Sequence, residues 1–382
     1  MSTVTKRRKK SANKEPEIEN EEVNNESEEQ QEEESSPPAK RQKKSVEQES
    51  SPQKNGTGGQ EEKCSILPVE ALQDHGIAVA DIKKLKESGY HTVSSVAVTM
   101  KRKLLQVRGF SDAKVDKLLL IAMRLTHNMG FTTGIEIEQD RKSLIKLTTG
   151  SKEFDKLLQG GVQAGEITEV YGEFGSGKSQ LCHTMAVTAQ LPKSIGGGEG
   201  KVVYIDTELT FRPERIRQIA ERFNLDGDDV LNNIIVAKAY NTDHQVKLIT
   251  EVPILCRDFP VALIIVDSVM ALYRVDYTGR AELAERQNHL GQFLGKLINL
   301  ADTYKMCILL TNQVTANPDG MNMFNIPKPI GGNVLAHASA TRLFFRKGKD
   351  HTRRVTIVDS TMVEKSECSF ELSNGGVCDA AE

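Results

Sequence analysis

The 382-residue sequence lacks the features of a membrane, secreted or disulfide-bonded protein. No run approaches the roughly 18 apolar residues that span a bilayer, and the charged N-terminus has no apolar segment of the signal-peptide type. The six cysteines are scattered, without C-x-x-C or Cys/His ligand spacing. The absence of such spacing argues against a zinc site, and the scattered positions argue against a disulfide framework. We therefore expect a soluble intracellular protein that has no membrane partner.

Large apolar side chains are also nearly absent from residues 1–62, which are rich in Glu, Lys, Ser, Gln and Asn. Basic clusters at 6–10 and 40–44 flank a glutamate-rich run at 15–34. Because such a segment buries too little surface to offset its ordering entropy, we predict a disordered charged tail. The basic clusters suit nuclear import receptors or nucleic acid, which favours a nuclear location. A merely solubilising tail is the alternative.

Residues 63–128 have a globular composition and helical apolar spacing. Helices are predicted at 81–87, 101–107 and 112–119, with a turn at 108–110 and Ser111 as a cap. The arrangement resembles a helix-hairpin-helix module, whose turn amides and lysines hold a phosphate backbone without reading bases. The turn has one glycine where the fuller motif has two, so a structural or protein-contacting bundle is the alternative. Residues 129–148 break the pattern and are predicted to be a linker.

Strands and helices alternate from residue 149 to 382. We predict strands at 166–171, 202–206, 261–267 and 306–311, and helices at 181–187, 213–222, within 248–256, and at 282–304. The end is strand-rich, at 341–346, 354–359 and 369–372. This order predicts an α/β domain with a mostly parallel sheet flanked by helices. An antiparallel extension is expected at the C-terminal edge.

A phosphate-loop motif, G-x-x-x-x-G-K-[ST], lies between the first strand and helix of this domain. Its glycines and the helix N-terminus would supply N–H donors to a nucleotide's phosphates, Lys178 would reach the β- and γ-phosphates, and Ser179 would ligate Mg²⁺. A glycine turn with an incidental lysine is the alternative, and the strand–helix context disfavours it. The predicted nucleotide-binding residues of this stretch are Gly172, Glu173, Phe174, Gly175, Ser176, Gly177, Lys178, Ser179 and Gln180.

Two carboxylates complete the predicted ATP and Mg²⁺ site. Asp267 ends an apolar strand, the usual place for the acidic residue that steadies Mg²⁺, often through water. Glu208 follows the strand that ends at Asp206 and is placed to orient or deprotonate a water that attacks the γ-phosphate. A helix cap or turn former is the alternative for Asp267, and a surface glutamate for Glu208.

Together these motifs resemble the RecA/RadA family, in the form of the eukaryotic DNA strand-exchange recombinases. The resemblance covers about residues 77–379 and includes the segments 172–180, 204–208, 211–215, 263–274 and 311–313. It implies a RecA-like ATPase core behind the helical domain. It also implies that Arg215 stacks on adenine, that Gln313 senses the γ-phosphate, and that His337 makes a contact across a subunit boundary.

The resemblance further implies DNA-binding and polymerisation elements. The first DNA-binding region contains Arg274, Arg280 and Arg286, and the second loop covers about 314–329. Phe131 would open a Phe-x-x-Ala polymerisation linker that adds to a neighbour's sheet edge, but Gly134 takes the place of the alanine. The loop pair Gly175-Ser176 stands where these recombinases usually carry Arg-Thr, and the second DNA loop is a little shorter than usual.

From these residues we expect an ATP-dependent recombinase that forms helical filaments on single-stranded DNA. The recombinase would pair the bound single strand with a homologous duplex and exchange strands during double-strand break repair. Recombination mediator proteins are expected as further partners. The first alternative is a recombinase paralogue that binds ATP and partners without exchanging strands. The second is a ring-shaped helicase on the same core, which the helix-hairpin-helix domain and the linker disfavour.

Overall fold

The structure is a computed structural model that describes residues 67–126, 130–279, 281–315 and 327–380. The predicted tail, Arg280 and most of the second DNA loop lie outside these ranges. None of the described helices combines the length and apolar character that a bilayer-spanning segment requires.

The first described part is a small helical bundle with a core of its own. After a 3₁₀ turn at Val69–Gln73, its helices are α1 (Val79–Glu87), α2 (Val93–Ala97), α3 (Lys101–Leu104) and α4 (Asp112–Leu125). The predicted helices correspond to α1, α3 and α4, whereas α2 was not predicted. It starts at a capping box in which Thr92 and Ser95 satisfy each other's backbone N–H groups. In the turn before α4, Gly109 has a φ of 85°, which requires glycine.

The remaining helices and strands form the α/β part of the chain. The helices are α5 (Gly134–Lys142), α6 (Lys152–Leu157), α7 (Lys178–Thr188), α8 (Pro213–Arg222), α9 (Gly227–Asn232), α10 (Thr242–Asp258), α11 (Ala271–Asp276), α12 (Leu283–Tyr304) and α13 (Gly332–Ala338). The strands are β1 (Lys146–Leu147), β2 (Val162–Gln163), β3 (Ile167–Gly172), β4 (Lys201–Asp206), β5 (Ile234–Lys238), β6 (Val261–Asp267), β7 (Cys307–Asn312), β8 (Thr341–Lys347), β9 (Thr352–Ser360), β10 (Glu367–Ser373) and β11 (Gly376–Asp379).

One sheet contains β3 to β11 in the spatial order β11-β10-β9-β8-β3-β7-β6-β4-β5. The pairs from β8 to β5 are parallel, and the pairs from β8 to β11 are antiparallel. Apolar clusters cover both faces, and β3, β4, β6 and β7 are almost wholly buried. The α/β prediction is therefore confirmed, including the antiparallel extension. The four central parallel strands, β3, β4, β6 and β7, end at one edge, with Gly172, Asp206, Asp267 and Asn312 as their last residues.

The structure differs from the prediction in the linker, where residues 134–142 form α5. Thr133 and Glu136 make a capping box at its start, and Glu138 pairs with Lys142 one turn apart at 2.6 Å. Helix α5 buries none of its residues, so it lacks the apolar face by which helices are predicted. Helix α10 also begins earlier than expected, because Asn241 accepts a hydrogen bond from the backbone of His244.

Candidate active site at the carboxyl edge of the sheet

The phosphate loop follows β3 and leads into α7. Gly177 has a φ of 106° and immediately precedes the helix, whose first turn has no side-chain cap. A Cβ on Gly172 would lie 2.3 Å from the carbonyl oxygen of Phe345, so the strand can end here only in glycine. The uncapped N–H groups of α7 therefore point out of a tight turn, which is an anion-binding geometry.

Polar groups inside the loop fit a bound triphosphate. The Ser176 hydroxyl is fully buried and has no hydrogen-bond partner among the described residues. The Lys178 ammonium donates to the carbonyl oxygens of Gly172 and Glu173, at 2.9 Å each. Burial lowers the pKa of Lys178, and the carboxylates of Asp267 and Glu208 partly offset this effect. A phosphate group would provide the half-buried ammonium with a counter-charge.

Asp267 is buried at the end of β6 and accepts three hydroxyl hydrogen bonds. Tyr204 donates to its Oδ2 at 2.9 Å, Thr210 donates to the same atom at 3.1 Å, and Thr311 donates to Oδ1. Because both oxygens are already engaged, Asp267 fits a Mg²⁺ ion held through water better than one ligated directly. Ser179, in the first turn of α7, is the direct ligand that the sequence predicts.

The loop that carries Glu208 is shaped by Asp206, which the sequence analysis treated only as a strand end. The carboxylate of Asp206 accepts backbone N–H groups from Glu208 at 3.2 Å and from Thr210 and Phe211 at 3.1 Å. Three backbone donors fold the chain around one side chain, as in an Asx turn. The signal for this role was present, because an Asp at a strand end commonly accepts such bonds.

Three of the predicted functional residues meet beyond this loop. The Glu208 carboxylate accepts hydrogen bonds from Ser268 and from the Gln313 amide nitrogen, both at 2.6 Å. The Gln313 amide oxygen in turn accepts a hydrogen bond from Arg274 on α11. A single amide thus connects the predicted water-orienting carboxylate to a predicted DNA-binding arginine.

Arg215, on α8, is held by the C-terminal hairpin. Its guanidinium donates to Gln180 at 2.8 Å, to the carbonyl oxygen of Asn374 at 2.6 Å, and to that of Ser373. Burial lowers the pKa of Arg215. Because guanidinium hydrogen bonds lie in the plane of the group, these contacts fix the orientation of the face that would stack on a base.

No hydrogen bond among the described residues joins the other predicted residues to this cluster. His337 is exposed on α13, and Phe174 and Phe131 are almost fully exposed. Arg286 is partly buried on α12, and its Nε has no hydrogen-bond partner among the described residues. Arg280 and residues 316–326 of the second loop lie outside the described ranges.

Comparison with known proteins identifies the chain's relatives. The family model described as Rad51 matches residues 140–380, which is more than half of the chain. This chain belongs to the Rad51 family. It is 52% identical over 320 residues to the DNA repair protein RAD51 of Saccharomyces cerevisiae, covering 83% of this chain and 80% of the relative. Homolog B of Zea mays is 51% identical, over 83% of this chain and 93% of the relative. The DNA repair protein RAD51 of Mycosarcoma maydis is 49% identical, and the match covers 87% of this chain and 98% of the relative.

A buried histidine of this Rad51-family chain was missed by the sequence analysis. His183 lies one turn after Ser179 in α7, and its Nδ1 is 2.6 Å from the Ser179 carbonyl oxygen. Its Nε2 accepts the backbone N–H of Arg212 at 3.1 Å, and its ring stacks on Phe211 at 5.7 Å. The neutral imidazole therefore donates at one nitrogen and accepts at the other, which ties the phosphate loop's helix to the loop of Glu208.

This histidine predicts a loss of stability in mild acid. Burial lowers the pKa of His183 from its ordinary value of 6.5. Its contribution is complete above pH 6.5 and declines as the pH falls, because the unfolded chain then binds a proton that the folded chain cannot. We expect the free energy of unfolding in urea to fall between pH 7 and 5.5, by up to about 1.4 kcal/mol per pH unit from this group. An equal decline in His183→Gln would contradict the assignment.

Proposed function

We propose that this chain is an ATP-dependent DNA recombinase that forms a helical filament on single-stranded DNA. The filament would pair with a homologous duplex and exchange strands during double-strand break repair. The observation that carries the proposal is the Glu208–Gln313–Arg274 contact, because it would connect the proposed water-orienting carboxylate to a proposed DNA-binding arginine. Membership of a family whose relatives are named as DNA repair proteins supports it.

Each part of the nucleotide has candidate binding residues. The backbone N–H groups from Gly175 to Ser179 would hold the phosphates, Lys178 would lie against their outer oxygens, and Arg215 would stack on the base. Ser179, and Asp267 through water, would hold Mg²⁺. Bound ATP would supply the γ-phosphoryl group that is transferred to water, with ADP as the leaving group, and Mg²⁺ would neutralise the charge that develops on the phosphate oxygens.

The protein's own chemistry would centre on Glu208. Its carboxylate can accept the proton of the attacking water, while Ser268 and Gln313 keep it in one orientation. Movement of Arg274 on binding DNA would act on Gln313, and so on the position of the carboxylate. ATP hydrolysis would thereby depend on bound DNA. Bound ATP would hold the filament in its DNA-binding form, and completed hydrolysis would end that form.

The filament would use one of the two edges of the sheet, the one formed by β5. Strand β5 lies at one end of the sheet order, and among the described residues it pairs only with β4. An extended segment of a neighbour could therefore add to its outer side. Phe131 is exposed just before α5, where it cannot contribute to its own chain's core. A head-to-tail contact of this kind continues as an open helix.

The remaining proposals concern location and partners. A nuclear site of action and contact with recombination mediator proteins follow from the role in break repair and from the basic clusters of residues 6–10 and 40–44. The paralogue that exchanges no strands is the less favoured candidate, because such a protein would have no need for the Glu208–Gln313–Arg274 connection.

Glu208→Gln tests the proposed chemistry. The amide keeps the size of the side chain but cannot accept a proton, so we expect DNA-dependent ATP hydrolysis to fall by about 10²–10⁴-fold. ATP binding should stay within a few-fold of wild type, and the DNA filaments should persist longer. Glu221→Gln, on the exposed face of α8, is the matched control and should leave hydrolysis unchanged. Wild-type hydrolysis by Glu208→Gln would refute the assignment.

A further inference from the structure

A buried ion pair lies in the middle of the sheet, outside the nucleotide site. Glu169, on β3, is fully buried, and its Oε2 accepts a hydrogen bond from Arg342 Nε on β8 at 2.7 Å. The Arg342 side chain is only 12% exposed. Ion pairs buried to this degree are costly to desolvate, so stability alone is a weak reason to have one here.

The second oxygen of Glu169 is committed to a different strand. Asn312, the last residue of β7, donates from its amide nitrogen to Glu169 Oε1 at 2.8 Å. The same nitrogen donates to the carbonyl oxygen of Ile330 at 2.6 Å, and the amide oxygen accepts the backbone N–H of Gln313 at 2.8 Å. Because a carboxylate can only accept hydrogen bonds, Glu169 requires the Asn312 amide nitrogen to face it. The amide oxygen is then left to face the backbone N–H of Gln313.

These bonds lie at the base of the predicted second DNA-binding loop. Gln313 accepts the backbone N–H of Ile330 at 3.0 Å, and Thr315 donates its backbone N–H to Lys328 at 3.0 Å. The two stems of the loop thus pair with each other, and Asn312 joins them at the point where they leave the sheet. Gln313 is also the residue whose side chain contacts Glu208 and Arg274.

We propose that Glu169 is a positioning residue for the proposed reaction. Its carboxylate alone fixes the orientation of the Asn312 amide, and Asn312 in turn fixes Gln313 and the stems of the second DNA loop. The Glu169 carboxylate thereby keeps the Gln313 side chain in contact with Glu208, while Arg342 serves to balance its charge. This inference rests on the proposed function, because it concerns how Glu208 is held for ATP hydrolysis.

A change of one atom at Glu169 separates this role from a purely structural one. In Glu169→Gln, the new amide oxygen would pair with Arg342 and the new nitrogen would face Asn312. The Asn312 amide would then have to turn over, which places its nitrogen against the Gln313 N–H, donor against donor, and removes the bond to Ile330. In Arg342→Lys, the carboxylate remains and the Asn312 amide keeps its orientation. Both variants weaken the same ion pair, so both should melt earlier than wild type.

The test is steady-state ATP hydrolysis by the full chain on single-stranded DNA, with melting temperatures measured alongside. We expect Glu169→Gln to lose about tenfold in kcat with KM for ATP unchanged, because only the alignment of Glu208 is affected. Arg342→Lys should keep kcat within about twofold. If Glu169→Gln does not fold, kcat of Asn312→Ala tests the same contact and should fall similarly, because this variant removes the amide and keeps the ion pair.

Wild-type kcat in Glu169→Gln or in Asn312→Ala would overturn the inference. An equal loss of kcat in Glu169→Gln and Arg342→Lys would also overturn it, because the pair would then act through stability alone. A wild-type chain that showed no DNA-dependent hydrolysis would instead refute the proposed function. The failure of the inference is therefore distinguishable from the failure of the function.

Discussion

Phe131→Glu is expected to leave a folded monomer under conditions in which the wild-type chain forms polymers. The phenylalanine is fully exposed in its own chain, so the substitution should not change the melting temperature. Burial of this ring in a neighbour would stabilise each proposed joint by about 1.5–3 kcal/mol. A carboxylate in its place would add a desolvation penalty of several kcal/mol. Sedimentation velocity at matched concentrations is the measurement.

Two further variants control for this result. Leu120→Glu places the same charge on an exposed apolar position of α4, and polymers should persist. Gly134→Ala acts in the opposite direction, since a Cβ on Gly134 would meet nothing within 4 Å in its own chain. The added methyl and the lower chain entropy are worth about 0.8 and 0.5–1 kcal/mol, so association should tighten by about tenfold. Unchanged polymers in Phe131→Glu would show that the linker assignment is wrong.

Lys178→Ala is expected to abolish ATP-dependent assembly on DNA. The ammonium would make two or more charge-assisted hydrogen bonds to the phosphates, each worth about 1.5–3 kcal/mol. Their loss corresponds to a fall in ATP affinity of about 10²–10⁴-fold. The fold should survive, because within the described part of the chain the ammonium bonds only to the two loop carbonyls. Equilibrium binding of a fluorescent ATP analogue measures the effect, and Lys156→Ala, on the exposed face of α6, should bind it as wild type does.

The sequence predicted best the elements whose signals are local. Helix α8 was predicted with its observed ends because Pro213 opens it and its apolar spacing is regular. Strand β6 was equally clear from its continuous apolar run. Helix α5 was not predicted, because it has a capping box and surface pairs but no buried apolar face. Strand β5, at the sheet edge, alternates only partly in burial and was also missed.

The candidate site likewise has features that local sequence signals predict and features that they do not. The phosphate loop, Glu208 and Asp267 could be predicted as site residues because each belongs to a short motif or ends an apolar strand. The contacts among them could not be predicted, since they join distant parts of the chain. Ser268 and Gln313 meet at Glu208 across 60 and 105 residues of sequence, and Asn312 meets Glu169 across 143. The sheet order β3-β7-β6-β4 brings Glu208, Ser268 and Gln313 to one edge and places Glu169 of β3 beside β7, which ends in Asn312.

Joint-molecule formation between single-stranded DNA and a homologous duplex tests the central claim most directly. With ATP and Mg²⁺, we predict that the wild-type chain forms joint molecules only when the two DNAs are homologous, and that Lys178→Ala forms none. The absence of joint molecules with the wild-type chain, or strand separation without homology, would contradict the account.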